Sequence, residues 1–374
     1  MSTVKTNNIL DASGGNTATI NSMTPTADSL QGFRNRIING DMRIDQRNAG
    51  AAVSNPGNST VYLVDRWNQR EDTAAQLSFQ RVSDGPAGFV NSMKVTVTTA
   101  DASIGASDYS VFRQFIEGTN TADLGWGSAS AKTITLSFWV KSSVTGTYGG
   151  RLANDAVNRI YVFTYTISTA DTWEYKTITI AGDTSGTWLT DTSIGIRVDF
   201  CLTAGTDWSG SAGSWGSTNY FTVTGNTPLI STLNATWYIT GVQLEVGSVA
   251  TPFERRDYGT ELSLCQRYYY RITADNGSPF AGGYSQATTS FRLLVPFQTT
   301  MRTSPSALEQ TGTAGNYQVF VAGNTVCNSV PTFINATAFA SQVAFPVASG
   351  LTVGNGGQGR SAATGAFLGF SAEL

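Results

Sequence analysis

Alternation of apolar and polar residues, the pattern of a half-buried β-strand, runs through most of the chain after residue 33. Every second side chain is apolar from residue 134 to 140, and again from 194 to 202. The segments with this pattern are QLSFQRV, SMKVTVTT, VFRQFI, TITLSFWVKSS, RIYVFTYTIS, WEYKTITI, IGIRVDFCL and WYITGVQLEV. Turns rich in Gly, Asp, Ser and Thr separate them. This spacing predicts an antiparallel jelly-roll β-sandwich.

The apolar positions of these segments define the expected core. One more strand is predicted within GFRNRIINGDMRIDQRN, where Asn39 and Gly40 form a turn or bulge. The predicted core side chains are those of Ile37, Ile38, Met42, Ile44, Ile134, Leu136, Phe138, Val140, Ile194, Ile196, Val198, Phe200 and Leu202.

The stretch from Trp237 to Arg271 predicts the last strand of the sandwich followed by a short helix. In the strand, Val242, Leu244 and Val246 face the core, while Gln243 and Glu245 face solvent. Pro252 fixes a turn that directs Phe253 inward, next to charges that pair locally. Thr260 caps a helix that carries Leu262, Cys265 and Tyr269 on one apolar stripe. We expect the residues of the whole stretch to be buried, with 257–271 as a linker between two domains.

The chain from residue 272 to 374 predicts a second β-rich domain. Its strands are FRLLVPF, NYQVFVAG, AFASQVAFPV and GAFLGFSAEL. Because few of its residues are charged, we expect much of its surface to be buried in an oligomer. The segment GNGGQG lacks the Lys-Ser/Thr of a phosphate-binding loop and is interpreted as a flexible loop. No heptad run or short repeat occurs, so neither a coiled coil nor a solenoid is expected.

The composition of the chain argues against several classes of function. Charged residues make up 13% of the 374 and the net charge is −3, so nucleic-acid binding is not expected. The chain has no histidine, which excludes Ser-His-Asp and Cys-His catalysis and imidazole metal sites. Its three cysteines are odd in number and far apart, which favours buried free thiols. No signal-peptide pattern or membrane-length apolar run occurs, so we expect neither Sec export nor membrane insertion.

Three motifs carry a resemblance to known proteins: RIINGDMRIDQRN, then VFRQFIEG with TLSFWVKSS, and last WYITGVQLEVG. Together with "VQLE-G…AT-FE-R…EL-LCQRYY" they resemble bacteriophage tail fibres with a carbohydrate-binding-module-like jelly roll. The N-terminal stretch NNILDASGGNTATINSMTPTADSLQGFRNRIINGDM is similar to the virion-attachment end of fibres from short-tailed cyanophages. The resemblance covers the whole chain, but residues after 271 match only loosely.

The resemblance implies an all-β homotrimer with four parts. Residues 1–32 form an extended segment that attaches to a tail or adaptor protein of the virion, and 33–256 form the jelly roll. A linker helix at 257–271 leads to a receptor-facing and trimerisation domain at 272–374, a C-terminal β-sandwich tip. The attachment segment is too polar to form a core alone, and its scattered apolar residues are Ile9, Leu10, Ile20 and Met23.

A fibre of this kind is made in the bacterial cytoplasm, joins the virion tail and binds a host envelope glycan or protein without catalysis. The alternatives are a structural virion protein, for head decoration or tail assembly, and a glycan depolymerase. Many related modules bind a structural calcium ion through an Asp in the last strand. Here that region reads Ile239-Thr240-Gly241-Val242, so we expect no metal and no other cofactor.

Aromatic side chains in loops are the candidate glycan contacts, because a pyranose presents an apolar face to a ring. The candidates are Trp126, Trp208, Trp215 and Tyr220, of which Trp208 is the one most expected to be exposed. The alternative for Trp215 and Tyr220 is that they close one end of the sandwich. Carboxylate pairs such as Asp183 with Asp191, or Glu254 with Asp257, are interpreted as turn formers, and no catalytic residue is expected.

Overall fold

The computed structural model describes residues 33–54 and 60–374. The proposed attachment residues Ile9, Leu10, Ile20 and Met23 lie outside the described residues. The chain divides into two compact units. Among the described residues, the first unit comprises 33–41, residue 54, residue 60 and 69–255, and the second comprises 42–53, 61–68 and 256–374. The sequence pattern predicts one domain over 33–256, whereas the structure assigns 42–53 and 61–68 to the second unit.

The described part of the chain is nearly all-β, as predicted, with 45% strand and a single α-helix. The strands up to residue 246 are β1 Val53–Ser54, β2 Thr60–Tyr62, β3 Trp67–Asp72, β4 Gln76–Val82, β5 Ser92–Thr99, β6 Tyr109–Glu117, β7 Ile134–Ser142, β8 Gly146–Ala153, β9 Ile160–Ile167, β10 Glu174–Ile180, β11 Ile194–Ala204, β12 Ser209–Gly210, β13 Trp215–Gly216, β14 Thr222–Val223 and β15 Thr236–Val246.

Helix α1 spans Tyr258–Gln266. The strands that follow are β16 Tyr269–Ala274, β17 Pro279–Ala287, β18 Ser290–Pro296, β19 Leu308–Glu309, β20 Tyr317–Phe320, β21 Asn324–Val326, β22 Thr332–Ala336, β23 Ala340–Pro346, β24 Gly356–Ser361 and β25 Ala366–Ser371.

The first unit is a jelly-roll β-sandwich, as predicted. One sheet has the order β1-β4-β5-β15-β7-β10 and the other β13-β9-β8-β11-β6-β3-β2. All the predicted core side chains are buried except Ile194, which is half-buried, but Met42 and Ile44 belong to the second unit. Phe138 of one sheet and Phe200 of the other meet with ring centroids 5.0 Å apart, so the core lies between the sheets.

Two features of the first unit differ from the sequence prediction. The strand expected at residues 37–44 is absent from the described structure, although Asn39 does turn the chain with a φ of +57°. Strand β8 was not predicted, because Gly149 and Gly150 interrupt its apolar pattern. A Cβ atom on Gly150 would lie 2.2 Å from the Asp199 carbonyl oxygen and 2.4 Å from the Phe163 ring, so glycine permits this close packing.

The second unit has its own core between two sheets, β16-β25-β19 and β21-β20-β24-β17-β18-β23-β22. The four strands predicted after residue 271 are all present, as β18, β20, β23 and β25. GNGGQG is not a flexible loop, because Gly356–Ser361 is strand β24, inside the larger sheet. A Cβ atom on Gly359 would lie 2.5 Å from the Leu293 side chain, so the glycine lets core residues pack against the strand.

The predicted linker helix is shorter than expected. Its N-cap is Asp257, which accepts a hydrogen bond from the Thr260 backbone, so Thr260 lies inside the helix instead of capping it. The helix ends at Gln266, and Tyr269 begins strand β16, which pairs with β25. The tyrosines at 268–270 are buried, which favours strand pairing over another helical turn.

Candidate functional site

An open groove of about 470 Å³ lies on the outer face of the sheet that contains β7, β10 and β15. Strand alternation places it there, because Leu136, Phe138 and Val140 of β7 face the core while the residues between them face outward. All residues that line the groove belong to the first unit: Phe89, Ser137, Trp139, Tyr175, Gly241, Ala250, Thr251, Pro252, Phe253 and Arg255.

Two aromatic side chains form the floor of the groove. Trp139 of β7 pairs in register with Tyr175 of β10, and their ring centroids lie 5.2 Å apart. Tyr175 is 44% exposed. Strand β15 has a bulge after Thr240, and Gly241 adopts a φ of +62° there. A Cβ atom on Gly241 would lie 3.2 Å from the Trp139 ring, so the bulge brings bare backbone against the tryptophan.

The opposite side of the groove is formed by Phe89, Phe253 and Arg255. The two phenylalanine rings meet edge to face at 5.1 Å. The Arg255 guanidinium lies 4.7 Å from the centroid of Phe89 and 5.7 Å from that of Phe253, and it donates a 2.6 Å hydrogen bond to the Gly88 carbonyl. Since Arg255 is exposed, its remaining N–H groups can bind a ligand.

A buried polar network holds the wall that contains Thr251. The Glu245 carboxylate accepts hydrogen bonds from the Thr251 amide at 2.8 Å and hydroxyl at 2.6 Å, and Gln243 donates to Glu245 at 2.8 Å. Gln243 and Glu245 are fully buried, so their predicted exposure to solvent was wrong. The segment from 250 to 254 covers that face of β15 and supplies the polar partners that burial requires.

Two of the predicted glycan contacts, Trp126 and Trp215, form a cluster with Trp188 outside the groove. Their ring centroids lie 4.7 to 5.5 Å apart in edge-to-face pairs. The indole N–H of Trp126 donates to the Lys132 carbonyl, and that of Trp215 donates to the Ala181 carbonyl. All three rings are half-buried, so they pack mainly against one another.

The other two candidates are separate from that cluster. Trp208 is half-buried like the other three, and its ring packs 5.5 Å from both Tyr109 and Phe221. Tyr220 is half-buried too, and its ring lies against Gly210. None of the four lines the groove. Glycan contact by these side chains therefore stays a prediction.

The carboxylates weighed as catalytic pairs make structural bonds. Asp183 receives two hydrogen bonds from Arg159, at 2.6 and 2.7 Å, and Asp191 accepts from the Ser193 amide. Glu254 accepts from the backbone amides of residues 34 and 35, and Asp257 caps α1. No cluster of metal-ligating side chains occurs within residues 33–54 and 60–374. No helix in those ranges has the length and hydropathy of a membrane span.

The sequence contained a signal for the groove that was not recognised. Trp139 and Tyr175 both occupy polar-side positions of alternating strands, where a large ring has no core to fill. The two are 36 positions apart, and only the register of β7 with β10 brings them together. Arg255 lies in the stretch from Trp237 to Arg271 that is expected to be buried, yet it is exposed and lines the groove.

Comparisons with known proteins find no matching family model and no matching curated protein. Solved structures with a similar fold include the enzymatically active domain of tailspike protein 4 of bacteriophage CBA120, at 13% identity and a TM-score of 0.31, over 58% of this chain and 22% of that one. A family 4 carbohydrate-binding module is similar at 15% identity and a TM-score of 0.27, over 56% of this chain and 98% of the module.

A protein from Bacteroides thetaiotaomicron, whose crystal structure is described as that of a putative sugar binding protein, is also similar. Its identity is 13% and its TM-score 0.31, and the match covers 57% of this chain and all of that chain. At these identities the likeness concerns the fold alone. The neighbours of this chain thus include a phage tailspike domain and several carbohydrate-binding modules.

Proposed function

We propose that the chain is a non-catalytic glycan-binding protein whose ligand lies in the groove over Trp139 and Tyr175. The observation that carries this proposal is the pair of adjacent, partly exposed rings on the floor of an open groove. Ligand pockets are typically concave and lined by aromatic side chains with a few polar groups.

The chemistry of the groove suits a sugar. The apolar C–H face of a pyranose stacks on an indole or phenol ring, and its hydroxyls hydrogen-bond to polar groups at the rim. Arg255, which is exposed, supplies such a group at one side of the groove. The wall at residues 250–254 is held by buried Gln243 and Glu245, which supports a site formed before the ligand arrives.

The biological setting follows from the sequence resemblance: a trimeric tail fibre that attaches a phage to an envelope glycan or protein of its host. A structural virion protein remains the alternative. Deletion of residues 272–374 separates the two, since loss of adsorption with intact particles favours the fibre and failed particle assembly favours the structural role. A monomer mass by light scattering would contradict the trimer.

The binding site is tested with a glycan array and three variants. Trp139→Ala and Tyr175→Ala each remove one ring from the floor, and we expect each to weaken binding at least tenfold. Trp126→Ala is the matched control, because it removes a half-buried indole from the tryptophan cluster outside the groove. Thermal unfolding of each variant shows whether the fold is kept.

The outcomes are distinct. Loss of binding with Trp126→Ala but not with Trp139→Ala or Tyr175→Ala would move the site to the tryptophan cluster. Absence of binding by the wild type across the array would contradict a glycan ligand. Release of oligosaccharides from purified host polysaccharide would contradict the non-catalytic role.

A further inference from the structure

The described residues that line the groove include one charged side chain, Arg255, and no acidic one. Glu245, which accepts hydrogen bonds from the lining residue Thr251, is fully buried and paired with Arg34 at 3.5 Å. Among the described residues, the oxygen atom to which Arg255 donates a hydrogen bond is the Gly88 carbonyl. A carbonyl oxygen neutralises no charge, so the guanidinium keeps its full attraction for an anion.

Arg255 is continuous with the aromatic floor. Its guanidinium stacks on Phe89, whose ring lies 2.8 Å from the position that a Cβ atom on Gly241 would occupy. Trp139 lies 3.2 Å from the same position. The rings and the guanidinium therefore form one surface, with the cation at one side of the place where a sugar ring would stack.

A second basic row lies next to the groove on the same sheet face. Register places Lys94 of β5, Tyr238 of β15 and Lys141 of β7 side by side. The two ammonium groups lie 5.8 and 4.2 Å from the centroid of Tyr238. Lys141 and Trp139 are two positions apart on one strand, so this row adjoins the floor. Asp84 pairs with Lys141 at 2.7 Å, so this row of two lysines and one aspartate carries one excess positive charge.

We infer that the groove takes an acidic saccharide, with a sugar ring over Trp139 and Tyr175 and an anionic substituent on Arg255. This inference rests on the proposed function, since it names the class of glycan for the same groove. The shared chemistry is an oxyanion, either a uronate carboxylate or a sulfate ester. Two N–H groups of a guanidinium bind such a group in a fork geometry that a neutral hydroxyl cannot match.

The experiment uses the full-length protein and three tetrasaccharides of similar size: tetragalacturonate, its neutral counterpart galactotetraose, and a sulfated galactan tetrasaccharide. A glycan array with uronate, sulfated and neutral members extends the set to other stereochemistries. We expect the wild type to prefer an acidic ligand, and Arg255→Gln to lower affinity for that ligand about tenfold while changing neutral binding little. Added NaCl should weaken acidic binding alone.

Arg292→Gln is the matched control. It removes one positive charge from the second unit, where Arg292 hydrogen-bonds Gln286, and so alters net charge equally without touching the groove. We expect it to leave acidic binding unchanged. The carboxylate and sulfate arms show which oxyanion is preferred.

Failure of this inference looks different from failure of the proposed function. The wild type could bind neutral and acidic ligands equally, with binding lost in Trp139→Ala and unchanged in Arg255→Gln. That result would overturn the inference of an acidic ligand and leave the proposed glycan binding in place. Binding of acidic ligands that Arg292→Gln weakens as much as Arg255→Gln would also overturn it, because net charge would then explain the preference. Absence of binding to every glycan would overturn both.

Discussion

Burial raises the pKa of single carboxyl groups in this protein well above their ordinary values. Glu71 lies on β3 and is fully buried. Burial raises the pKa of its carboxyl group from 4.5 to about 7, and the Ser110 hydroxyl offsets only part of that effect. Asp65 of the second unit behaves alike, since burial raises its pKa to about 6 despite nearby Arg47.

Glu71 makes the stability of the first unit depend on pH near neutrality. Between its unfolded and folded pKa values the native state binds more protons than the unfolded state, so stability falls as pH rises from about 4.5 through about 7. We expect Glu71→Gln to be more stable than wild type at pH 8, by on the order of 3 kcal/mol, and nearly equal at pH 4.5.

Urea unfolding followed by tryptophan fluorescence measures this, because seven of the eight tryptophans belong to the first unit. Asp72→Asn removes an exposed carboxylate from the same strand and should leave the pH dependence as in wild type. A difference between wild type and Glu71→Gln that stays constant with pH would contradict the assignment.

The bulge in β15 shows how one glycine determines the course of a whole strand. Strand alternation is interrupted after Thr240, and Gly241 fills the extra position with a backbone conformation that other residues adopt at a cost. The absence of a side chain there also lets the Phe89 and Trp139 rings approach the backbone of Gly241 at the groove. One glycine therefore sets both the course of the strand and the shape of the proposed site.

Replacing Gly241 with alanine, beside a control glycine, separates the cost of the backbone conformation from the cost of the lost space next to the rings. We expect Gly241→Ala to cost about 3 kcal/mol, from positive φ plus collision with two rings, and to weaken glycan binding. Gly225→Ala is the control. Gly225 has the same left-handed backbone, at φ +78°, but a Cβ atom there would meet no atom within 4 Å. We therefore expect this variant to lose about 1 kcal/mol of stability, from the backbone conformation alone, and to bind glycan unchanged. Thermal unfolding and ligand titration measure the two effects. Equal costs for both variants would show that the rings move aside.

The sequence predicted the strands whose alternation is regular, and with them the sandwich core. It could not predict β8, where paired glycines serve close packing, or the burial of Gln243 and Glu245, which depends on a segment that folds back over β15. The groove was missed for a related reason. Trp139 and Tyr175 become neighbours through strand register, which the pattern of one strand does not contain.

At the scale of the whole molecule, the C-terminal end of the chain closes the second unit. Glu373 forms ion pairs with Arg66 and with Arg47, the latter at 3.3 Å, and all three side chains are buried. The guanidinium of Arg66 stacks 3.5 Å from the ring centroid of Tyr268, and that of Arg47 lies 3.5 Å from that of Tyr269. Segments 42–53 and 61–68 are thereby joined to the end of the sequence.

Breaking these ion pairs should loosen the second unit selectively. We expect Glu373→Gln to destabilise it by about 3 kcal/mol, because the arginines stay buried without the carboxylate. Thiol labelling reports each unit separately: Cys265 and Cys327 are buried in the second, and Cys201 is buried in the first. Burial raises the pKa of the Cys327 thiol to about 12 and raises those of the other two as well, so labelling requires opening.

In Glu373→Gln we expect faster labelling of Cys265 and Cys327 and an unchanged rate at Cys201. Asp275→Asn, which alters an exposed carboxylate of the same unit, serves as the control. Acceleration at all three thiols would mean that the two units open together.

The second unit is built from three separate segments of the chain, so recombination between related genes can separate parts that pack together. A single recombination crossover near residue 256 would combine a new C-terminal region with inherited segments 42–53 and 61–68. The arginines of those segments would then have to match a foreign C-terminus, or be buried unmatched. Productive chimaeras therefore need a second exchange near the start of the chain, and engineers who swap this region should transplant both parts together.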